Sequence, residues 1–398
     1  MSYTERPTTL FKLFFIFLRL GCTSFGGPIA HLSYFRQEFV NQRSWISDSE
    51  YTSLVALSQF LPGPASSQVG LGLGLRFAGY AGAAVAFIGF TLPSVLLLIL
   101  FALNVDFITE SVGSGWLQGL KLVAVAVVAQ ALLGMAKSFC TTRLGATIAI
   151  ITCSLVLLIP SVYIQVICIV LAGVIAYAIA PDSTSSEPDS AQTTATGNMI
   201  TWGCLGLFLV LLLLLPVMSQ MMPYPVVELI EKFYRSGALV FGGGHVVLPL
   251  LQNEVVIAGM VGQERFLAGY GAAQAVPGPL FTFAAYLGAA NQLAPNGWSG
   301  GFIAVAAIFL PAWLLLLGAL PIWQQLQHNQ HMKKALIGIN ASVVGLLLAA
   351  FYDPIWTSSV NSAPAFILAA GALLALLKWQ APPTLIVIVL PIVASLVL

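Results

Sequence analysis

Two arginines stand inside apolar segments of a chain that carries few charges. Arg19 and Arg235 each lie two residues before a glycine and six residues before a Phe-Gly-Gly sequence. A charged guanidinium at the centre of a bilayer costs at least ~2.5 kcal/mol, so it faces a partner or a pathway. Because its planar fork matches the paired oxygens of an oxyanion, the two arginines indicate an anion site. The alternative for Arg19 is that its side chain reaches the membrane surface near Lys12.

Two Pro-Gly-Pro sequences, each with a glutamine three residues ahead, interrupt helices at 59–64 and 274–279. Proline ends the incoming helix and suits the first turn of the next one, and glycine lets another group approach the backbone closely. The free N–H groups at the start of the new helix favour an anion. A structural kink alone does not explain the repeated glutamine. We therefore predict that these segments bind a substrate through Gln59, Pro62, Gly63, Pro64, Gln68, Gln274, Pro277, Gly278 and Pro279.

A second interruption occurs in each half of the chain, as FGGP at 25–28 and FGGG at 241–244. Its glycines expose further backbone amides, and a histidine follows shortly downstream in both halves. The alternative is that these glycines allow close helix packing, which is the interpretation we favour for Gly21 and Gly237. The two turns and the arginines before them add Arg19, Gly26, Gly27, Pro28, His31, Arg235, Gly242, Gly243, Gly244 and His245 to the predicted binding residues.

Three titratable groups near these turns, Glu38, Glu254 and His31, are candidates for carrying a coupling proton. The alternatives are that both glutamates are charges at the membrane interface and that His31 is a hydrogen-bonded packing residue. The sequence contains no HExxH, GxSxG, CxxC or phosphate-binding motif. We therefore expect no enzymatic activity, no metal or other cofactor, and no nucleic acid partner.

The composition is that of a membrane protein. Hydrophobic residues make up 59% of the chain, only 7% are charged, and the mean hydropathy is +0.94. A soluble domain carries about a quarter charged residues. The sequence thus predicts an all-α polytopic membrane protein in the lipid bilayer, whose N-terminal segment is retained rather than cleaved as a signal peptide. Runs near the roughly 20 residues that a helix needs to cross a bilayer cover 82–104, 114–136, 143–160, 161–180, 199–218, 301–320, 335–352, 363–377 and 383–398.

The chain contains a duplication, and the helix interruptions occur at equivalent positions of its two halves. At one constant spacing, Arg19 matches Arg235 and Glu38 matches Glu254, and Pro-Gly-Pro recurs at a spacing only one position shorter. The short arms of the interrupted helices predict hairpins that dip into the membrane, and short tilted spans are the alternative. We predict a first repeat at 1–181, a flexible polar linker at 182–198, a connecting transmembrane helix at 199–221 and a second repeat at 222–398.

The charges of the loops indicate that the two repeats have inverted topology, because Lys and Arg collect in cytoplasmic loops. Arg36 and Arg43 lie in a first-repeat segment whose counterpart, 252–259, has no basic residue. Conversely, two lysines at 333–334 correspond to the loop 104–114, which has none. This bias places the N-terminus in the cytoplasm and the C-terminus outside.

Inverted repeats with interrupted helices are typical of secondary transporters, whose binding sites lie near the midplane where the repeats meet. The residues alone therefore indicate a carrier for an oxyanion. An anion channel is the alternative, in which the same helix ends line a continuous pore.

Three long segments and the motif QAVPGP resemble the chromate ion transporter (CHR) family, in its ChrA-like long form with two domains. The segments are FLRLGCTSFGGPIAHLSYFRQEFV at 17–40, WISDSEYTSLVALSQFLPGPASSQVGLGLG at 45–74 and SGALVFGGGHVVLPLLQNEVV at 236–256. The second repeat departs from the first in having Gly244 where the first has Pro28.

The resemblance implies an inner-membrane transporter that exports chromate from the cytoplasm and gives chromate resistance. It also implies that the proton-motive force drives transport and that protons are the coupling ion. Sulfate, which shares the charge and tetrahedral shape of chromate, is the alternative cargo. The oligomeric state stays open, with a homodimer as one alternative.

Overall fold

A computed structural model describes residues 9–112, 115–159, 161–179, 199–222, 224–241, 244–323 and 329–398. Within these ranges the chain is helical and has no β-strand, so the predicted all-α fold class is confirmed. The predicted linker at 182–198 and two predicted binding residues, Gly242 and Gly243, lie outside the described residues.

The first repeat consists of two interrupted pairs of helices followed by longer helices. Helix α4 breaks at Ala78 and Gly79, whose backbone angles are not helical. A π-helical segment, Arg36–Gln42, follows α2. The helices are α1 Leu10–Thr23, α2 Gly27–Phe35, α3 Asp48–Phe60, α4 Ala65–Val112, α5 Gly115–Phe139, α6 Arg143–Leu158 and α7 Val162–Ile179.

A connecting helix, α8 (Met199–Met221), leads to a second repeat with the same order of elements. A π-helical segment, Gln252–Val256, follows α10 and begins at the position that the repeat spacing assigns to the start of its counterpart, Arg36–Gln42. The helices are α9 Pro225–Ala238, α10 Val247–Leu251, α11 Gln263–Ala273, α12 Phe283–Ala289, α13 Gly297–Ala319, α14 Gln330–Ala350, α15 Thr357–Ser359, α16 Ala363–Leu377 and α17 Pro383–Val397.

Glycine and proline end the helices where the sequence predicts. Gly26 and Gly27 join α1 to α2 with φ angles of 100° and 74°, which glycine adopts without strain. Pro64 and Pro279 each stand directly before the next helical turn rather than inside it, which corrects the expectation for these two prolines. The physical reason in the first repeat is that the carbonyl of Pro64 accepts a hydrogen bond from the amide of Gln68, at 3.0 Å, as an N-cap residue does.

The interrupted helices fold back as antiparallel hairpins. Glu50, near the start of α3, pairs with Arg76 in the first arm of α4, so the outer ends of the hairpin meet. In the second repeat, the hydroxyl of Tyr286 in α12 donates to the carbonyl of Arg265 near the start of α11, at 3.0 Å. The 13 residues of α3 span about 20 Å, against about 30 Å for the hydrocarbon core. The arms are therefore shorter than the hydrocarbon core is thick and turn back on each other at the Pro-Gly-Pro sequence, which agrees with the predicted hairpins.

Longer helices provide the membrane crossings. Only 11% of the apolar stretch of the connecting helix α8 is buried, so most of its surface is available to lipid. Within the described residues, five helical ranges are long and apolar enough to cross a bilayer, namely Ala65–Glu110, Gly115–Phe139, Met199–Met221, Gly297–Ile322 and Gln330–Ser359.

The two repeats exchange their last helices. Helices α6 and α7 of the first repeat pack against α14 of the second, and α16 and α17 of the second pack against α5 of the first. A Cβ added to Gly119 would lie 2.4 Å from Cα of Pro391, and one added to Gly338 would lie 1.9 Å from the carbonyl oxygen of Ala172. The separation in sequence from Gly119 to Gly338 equals the separation from Ala172 to Pro391. The exchanged contacts are therefore equivalent in the two repeats, as a pseudo-two-fold relation requires.

The glycines that precede the Phe-Gly-Gly turns serve close packing of helices. A Cβ added to Gly21 would lie 2.6 Å from the carbonyl oxygen of Phe90 in α4. One added to Gly237 would lie 2.1 Å from the carbonyl oxygen of Ile308 in α13. Since neither site has room for a side chain, the packing interpretation of these two glycines is confirmed.

Candidate functional site

The two repeats meet at their interrupted helices. The amide of Gly63 donates to the carbonyl of Val240 at 2.7 Å, and the amide of Gly278 donates to the carbonyl of Ser24 at 3.0 Å. Each bond joins the Pro-Gly-Pro turn of one repeat to the Phe-Gly-Gly turn region of the other. Gly63 and Gly278 have φ angles of 116° and 105°, which explains why both positions require glycine.

These two bonds correct part of the anion prediction. The central amide of each Pro-Gly-Pro turn is not free for an anion, because a carbonyl of the opposite repeat occupies it. A Cβ added to Gly63 would lie 3.2 Å from Cβ of Ala312, and one added to Gly278 would lie 2.9 Å from Oγ of Ser94. The group that each glycine approaches is therefore the opposite repeat itself.

A cavity of about 90 Å³, which we call the interface cavity, lies where the first turn of one repeat meets the second turn of the other. Predicted binding residues line it from both sides, with Gly26, Gly27 and Pro28 from the first repeat and His245, Gln274 and Gly278 from the second. The other residues that line it are Val127, Gln130, Ala273, Val276, Leu280 and Pro383.

Helix α2 begins at the interface cavity. Gly27 is its first residue and Gly26 precedes it, and no side chain caps this helix start. Pro28 has no N–H group and fits the first turn. The positive end of the α2 dipole therefore lies in the wall of the cavity, where it favours an anion.

Two polar side chains of the second repeat complete this wall. Nε2 of Gln274 is buried without a hydrogen-bond partner among the described residues, although Gln274 lies close to Tyr270. Nδ1 of His245 lies 2.8 Å from the hydroxyl of Tyr270, a side chain that is fully buried. Tyr270 therefore fixes the orientation of the histidine ring, and Gln274 supplies a donor for a ligand.

His31 lies outside the interface cavity. Its Nδ1 is 3.3 Å from Oγ of Ser66, and its Nε2 is 3.1 Å from the carbonyl oxygen of Ser24. The side chain is buried, and both contacts stay within the first repeat. Because Ser24 is also the carbonyl that accepts from Gly278, these contacts fit the alternative of a packing residue that holds the turn.

The other predicted residues of the Pro-Gly-Pro segments shape the turns. Nε2 of Gln68 donates to the carbonyl of Pro62 at 2.9 Å and so stabilises its own turn. Gln59 is exposed and does not line the interface cavity. Gly244 packs near Pro28, which lines the cavity. The predicted residues that form the turns without lining the cavity are Pro62, Gly63, Pro64, Pro277 and Pro279.

Arg19 of the first repeat is paired with a glutamate. It donates to Glu38, whose carboxylate also accepts from Nε of Arg43 at 2.7 Å. Glu38 is buried, whereas 57% of the Arg19 side chain is exposed. We call Arg19, Arg43 and Glu38 the first-repeat charge cluster.

Arg235 is paired in the equivalent way. Its Nε donates to Oε1 of Glu254 at 2.7 Å, and Nη2 donates to the other carboxylate oxygen. Nη1 lies 2.8 Å from Oε1 of Glu231. Neither Arg19 nor Arg235 lines the interface cavity, so in this conformation the two arginines face glutamates rather than the site.

Sequence reasoning missed the contribution of α5 to the cavity. Gln130 lines the cavity from this helix, next to Val127. The available signal was an amide side chain inside the apolar stretch VAVAVVAQALL at 123–133. Nothing in the sequence pointed to Pro383 at the start of α17, because its position depends on the exchange of helices between repeats.

Comparison with known proteins relates the whole chain to transporters. An uncharacterised transporter of Methanocaldococcus jannaschii is 27% identical over 88% of this chain and 85% of its own length. A chromate transport protein of Pseudomonas aeruginosa is 26% identical over 87% of this chain and 81% of its own length. The corresponding protein of Cupriavidus metallidurans is 26% identical, with 95% and 90% covered. No solved structure matches the chain.

The family described as "Chromate transporter" matches the chain twice, at residues 11–178 and 227–396. These two ranges correspond to the two structural repeats, whose interrupted helices build the interface cavity. The chain therefore belongs to the chromate transporter family.

Proposed function

We propose that the protein exports chromate from the cytoplasm across the inner membrane of a bacterial cell and so gives chromate resistance. The proton-motive force drives this transport, the N-terminus is cytoplasmic and the C-terminus periplasmic. Membership of the chromate transporter family and the names of two relatives support chromate as the substrate. The reaction is movement of an ion, with no enzymatic step and no cofactor.

The observation that carries the proposal is the interface cavity. Interrupted helices of both repeats meet there, which is where secondary transporters bind their substrates. Helix α2 offers its positive end, and Gln274 offers a buried donor. These groups suit a compact anion, because they supply hydrogen bonds without requiring a counter-charge at the site.

The first-repeat charge cluster supplies attraction at the entrance. Arg19 and Arg43 share the carboxylate of Glu38, so the cluster has one positive charge in excess. In the proposed orientation it lies at the cytoplasmic end, where Arg19 is exposed. An excess positive charge near a pathway raises the local concentration of anions and the rate at which they enter.

The way the hairpins contact each other supports alternating access as the mechanism. The turns of one repeat are bonded to the turns of the other, so a rocking movement between repeats would change which side reaches the cavity. The bonds Gly63–Val240 and Gly278–Ser24 join the two repeats at their interrupted helices, which favours a carrier over a channel with a continuous pore.

Uptake of labelled chromate into everted membrane vesicles tests the proposal, because inversion turns export into uptake. We expect accumulation that saturates with chromate concentration and collapses when a protonophore removes the gradient. Sulfate in excess serves as the competitor. Vesicles without the protein provide the background.

Three results would contradict parts of the proposal. Accumulation of sulfate but not chromate would overturn the cargo. Flux that ignores the proton gradient and does not saturate would indicate a channel. Uptake in right-side-out vesicles, without uptake in everted ones under the same gradient, would reverse the direction.

A further inference from the structure

Two buried carboxylates stand beside one guanidinium in the second repeat. Glu231 and Glu254 are 4% and 3% exposed, and Arg235 lies between them. Glu231 belongs to α9, one turn before Arg235, and Glu254 belongs to the π-helical segment Gln252–Val256. We call these three residues the second-repeat charge cluster.

The two carboxylates are not bound equally. Glu254 accepts two hydrogen bonds from Arg235, one at each oxygen, in the bidentate arrangement that favours an ionised carboxylate. Oε1 of Glu231 lies 2.8 Å from Nη1 of Arg235, yet it is buried and accepts no hydrogen bond from any described residue. Of the two groups, Glu231 is the one whose charge is less well compensated.

The surroundings do not supply the missing compensation. Nζ of Lys232 lies 3.5 Å from Glu228 and 4.0 Å from Glu254, and Tyr163 of α7 lies near Arg235. Helices α8, α10 and α13, which pack on α9, have no charged residue. Because Lys232 lies closer to Glu228 than to Glu254, the second-repeat charge cluster itself keeps two carboxylates for one guanidinium, which leaves one negative charge in excess.

The first repeat has the opposite balance. At the spacing that relates Arg19 to Arg235, Phe15 occupies the position that corresponds to Glu231. There, Glu38 alone is shared by Arg19 and Arg43. The Arg–Glu pair is common to both repeats, whereas the additional buried acid occurs in the second repeat.

A buried carboxylate without full compensation is stabilised by binding a proton, because protonation removes the cost of keeping its charge away from water. The protonated group also gains a donor that the carboxylate lacks. A cavity of about 220 Å³ is lined by Gln252 and Asn253, the two residues that precede Glu254 in the chain. A cavity of this size has room for several water molecules next to the π-helical segment that carries Glu254.

We propose that Glu231 is the proton-binding group that couples chromate export to the proton gradient. In the proposed orientation the cluster lies at the periplasmic end, where protons enter. Protonation of Glu231 removes the excess negative charge of the second-repeat charge cluster. Release of the proton to the cytoplasm restores that charge. This inference rests on the proposed function.

The test compares Glu231→Gln with Glu228→Gln in everted vesicles. An amide in place of the Glu231 carboxylate imitates the protonated state permanently. We expect Glu231→Gln to exchange labelled for unlabelled chromate within about twofold of the original rate, and to lose gradient-driven accumulation at least tenfold. Glu228→Gln, on the same helix but with 42% of its side chain exposed, retains both activities. Glu231→Asp, which keeps an ionisable group, retains part of the accumulation.

Each other result overturns the inference. Normal accumulation by Glu231→Gln would show that the proton binds elsewhere. Loss of exchange together with accumulation, in a variant that elutes as a folded protein, would show a structural role, as would equal failure of Glu231→Asp. If the original protein exchanges chromate but never accumulates it under a gradient, the proposed function fails first and this inference falls with it.

Discussion

Residues that are equivalent in sequence have different surroundings in the two repeats. Gln59 and Gln274 each stand three residues before a Pro-Gly-Pro turn, and both were predicted to bind. Gln274 lines the interface cavity with a buried donor, whereas Gln59 is exposed outside it. The spacing identifies the turn, but the packing of the opposite repeat decides which glutamine faces a ligand.

Replacing these glutamines tests that difference. A hydrogen bond to a charged group contributes about 1.5–3 kcal/mol, which corresponds to roughly 10- to 150-fold in binding. We therefore expect Gln274→Leu to raise the KM for chromate at least about tenfold. Gln59→Leu, the matched control, should change it by less than about twofold. The measurement is the concentration dependence of uptake into everted vesicles, and equal effects would contradict the assignment of the site.

The Arg–Glu pairs show what sequence could and could not give at this scale. The separation in sequence between Arg19 and Glu38 is the same as that between Arg235 and Glu254. Both arginines were assigned to the anion site from the sequence and were not paired with these glutamates, although an arginine in a membrane needs a partner and the repeated spacing was the available signal. Glu231 was missed for the opposite reason, since a comparison of repeats hides a residue that only one of them has.

Helix breaks were predictable because proline and glycine act locally. The short arms predicted on either side of the first Pro-Gly-Pro sequence agree with α3 and with the first part of α4, which breaks at Ala78 and Gly79. The partners of the turns were not predictable in this way. Gly63 bonds to a carbonyl far along the chain, and that contact depends on how the repeats pack.

Close packing between helices gives a prediction for stability. Gly237→Ala would place its Cβ 2.1 Å from the carbonyl oxygen of Ile308, so α9 and α13 must separate. Overpacking of this kind costs about 1–3 kcal/mol. We expect a lower Tm for the purified protein in detergent. Gly206→Ala in α8 is the control, because nothing lies within 4 Å of its added Cβ, and a Tm equally lowered there would contradict the packing argument.

Two ion pairs join the repeats at one end of the molecule. Asp106 of α4 accepts from Arg265 of α11 at 2.7 Å, and Nζ of Lys121 in α5 lies 3.3 Å from Glu264. In the proposed orientation this end faces the periplasm. The Asp106–Arg265 pair is exposed and contributes about 0–1 kcal/mol, so it can close this end without preventing it from opening.

A crosslink between the repeats should therefore stop transport. We expect a short, reversible thiol crosslinker between cysteines at Asp106 and Arg265 to abolish chromate accumulation, because the repeats can no longer move apart. The native cysteines are first replaced, since all five are free thiols. Cysteines at Glu50 and Arg76, which pair within one hairpin, are the control and should leave transport intact. Recovery after reduction completes the measurement, and unaffected transport by the first variant would contradict alternating access.

The bonds from Gly63 to Val240 and from Gly278 to Ser24 also have a consequence for the origin of the chain. A polypeptide with one repeat alone would leave a turn amide and a turn carbonyl unpaired at its centre. Two copies inserted in opposite directions would satisfy all four groups, so the arrangement is that of an antiparallel pair joined by gene fusion. After fusion each copy could change independently. In a pair of identical copies, the acid found at Glu231 would also occur at the equivalent position of the other copy, where this chain has Phe15.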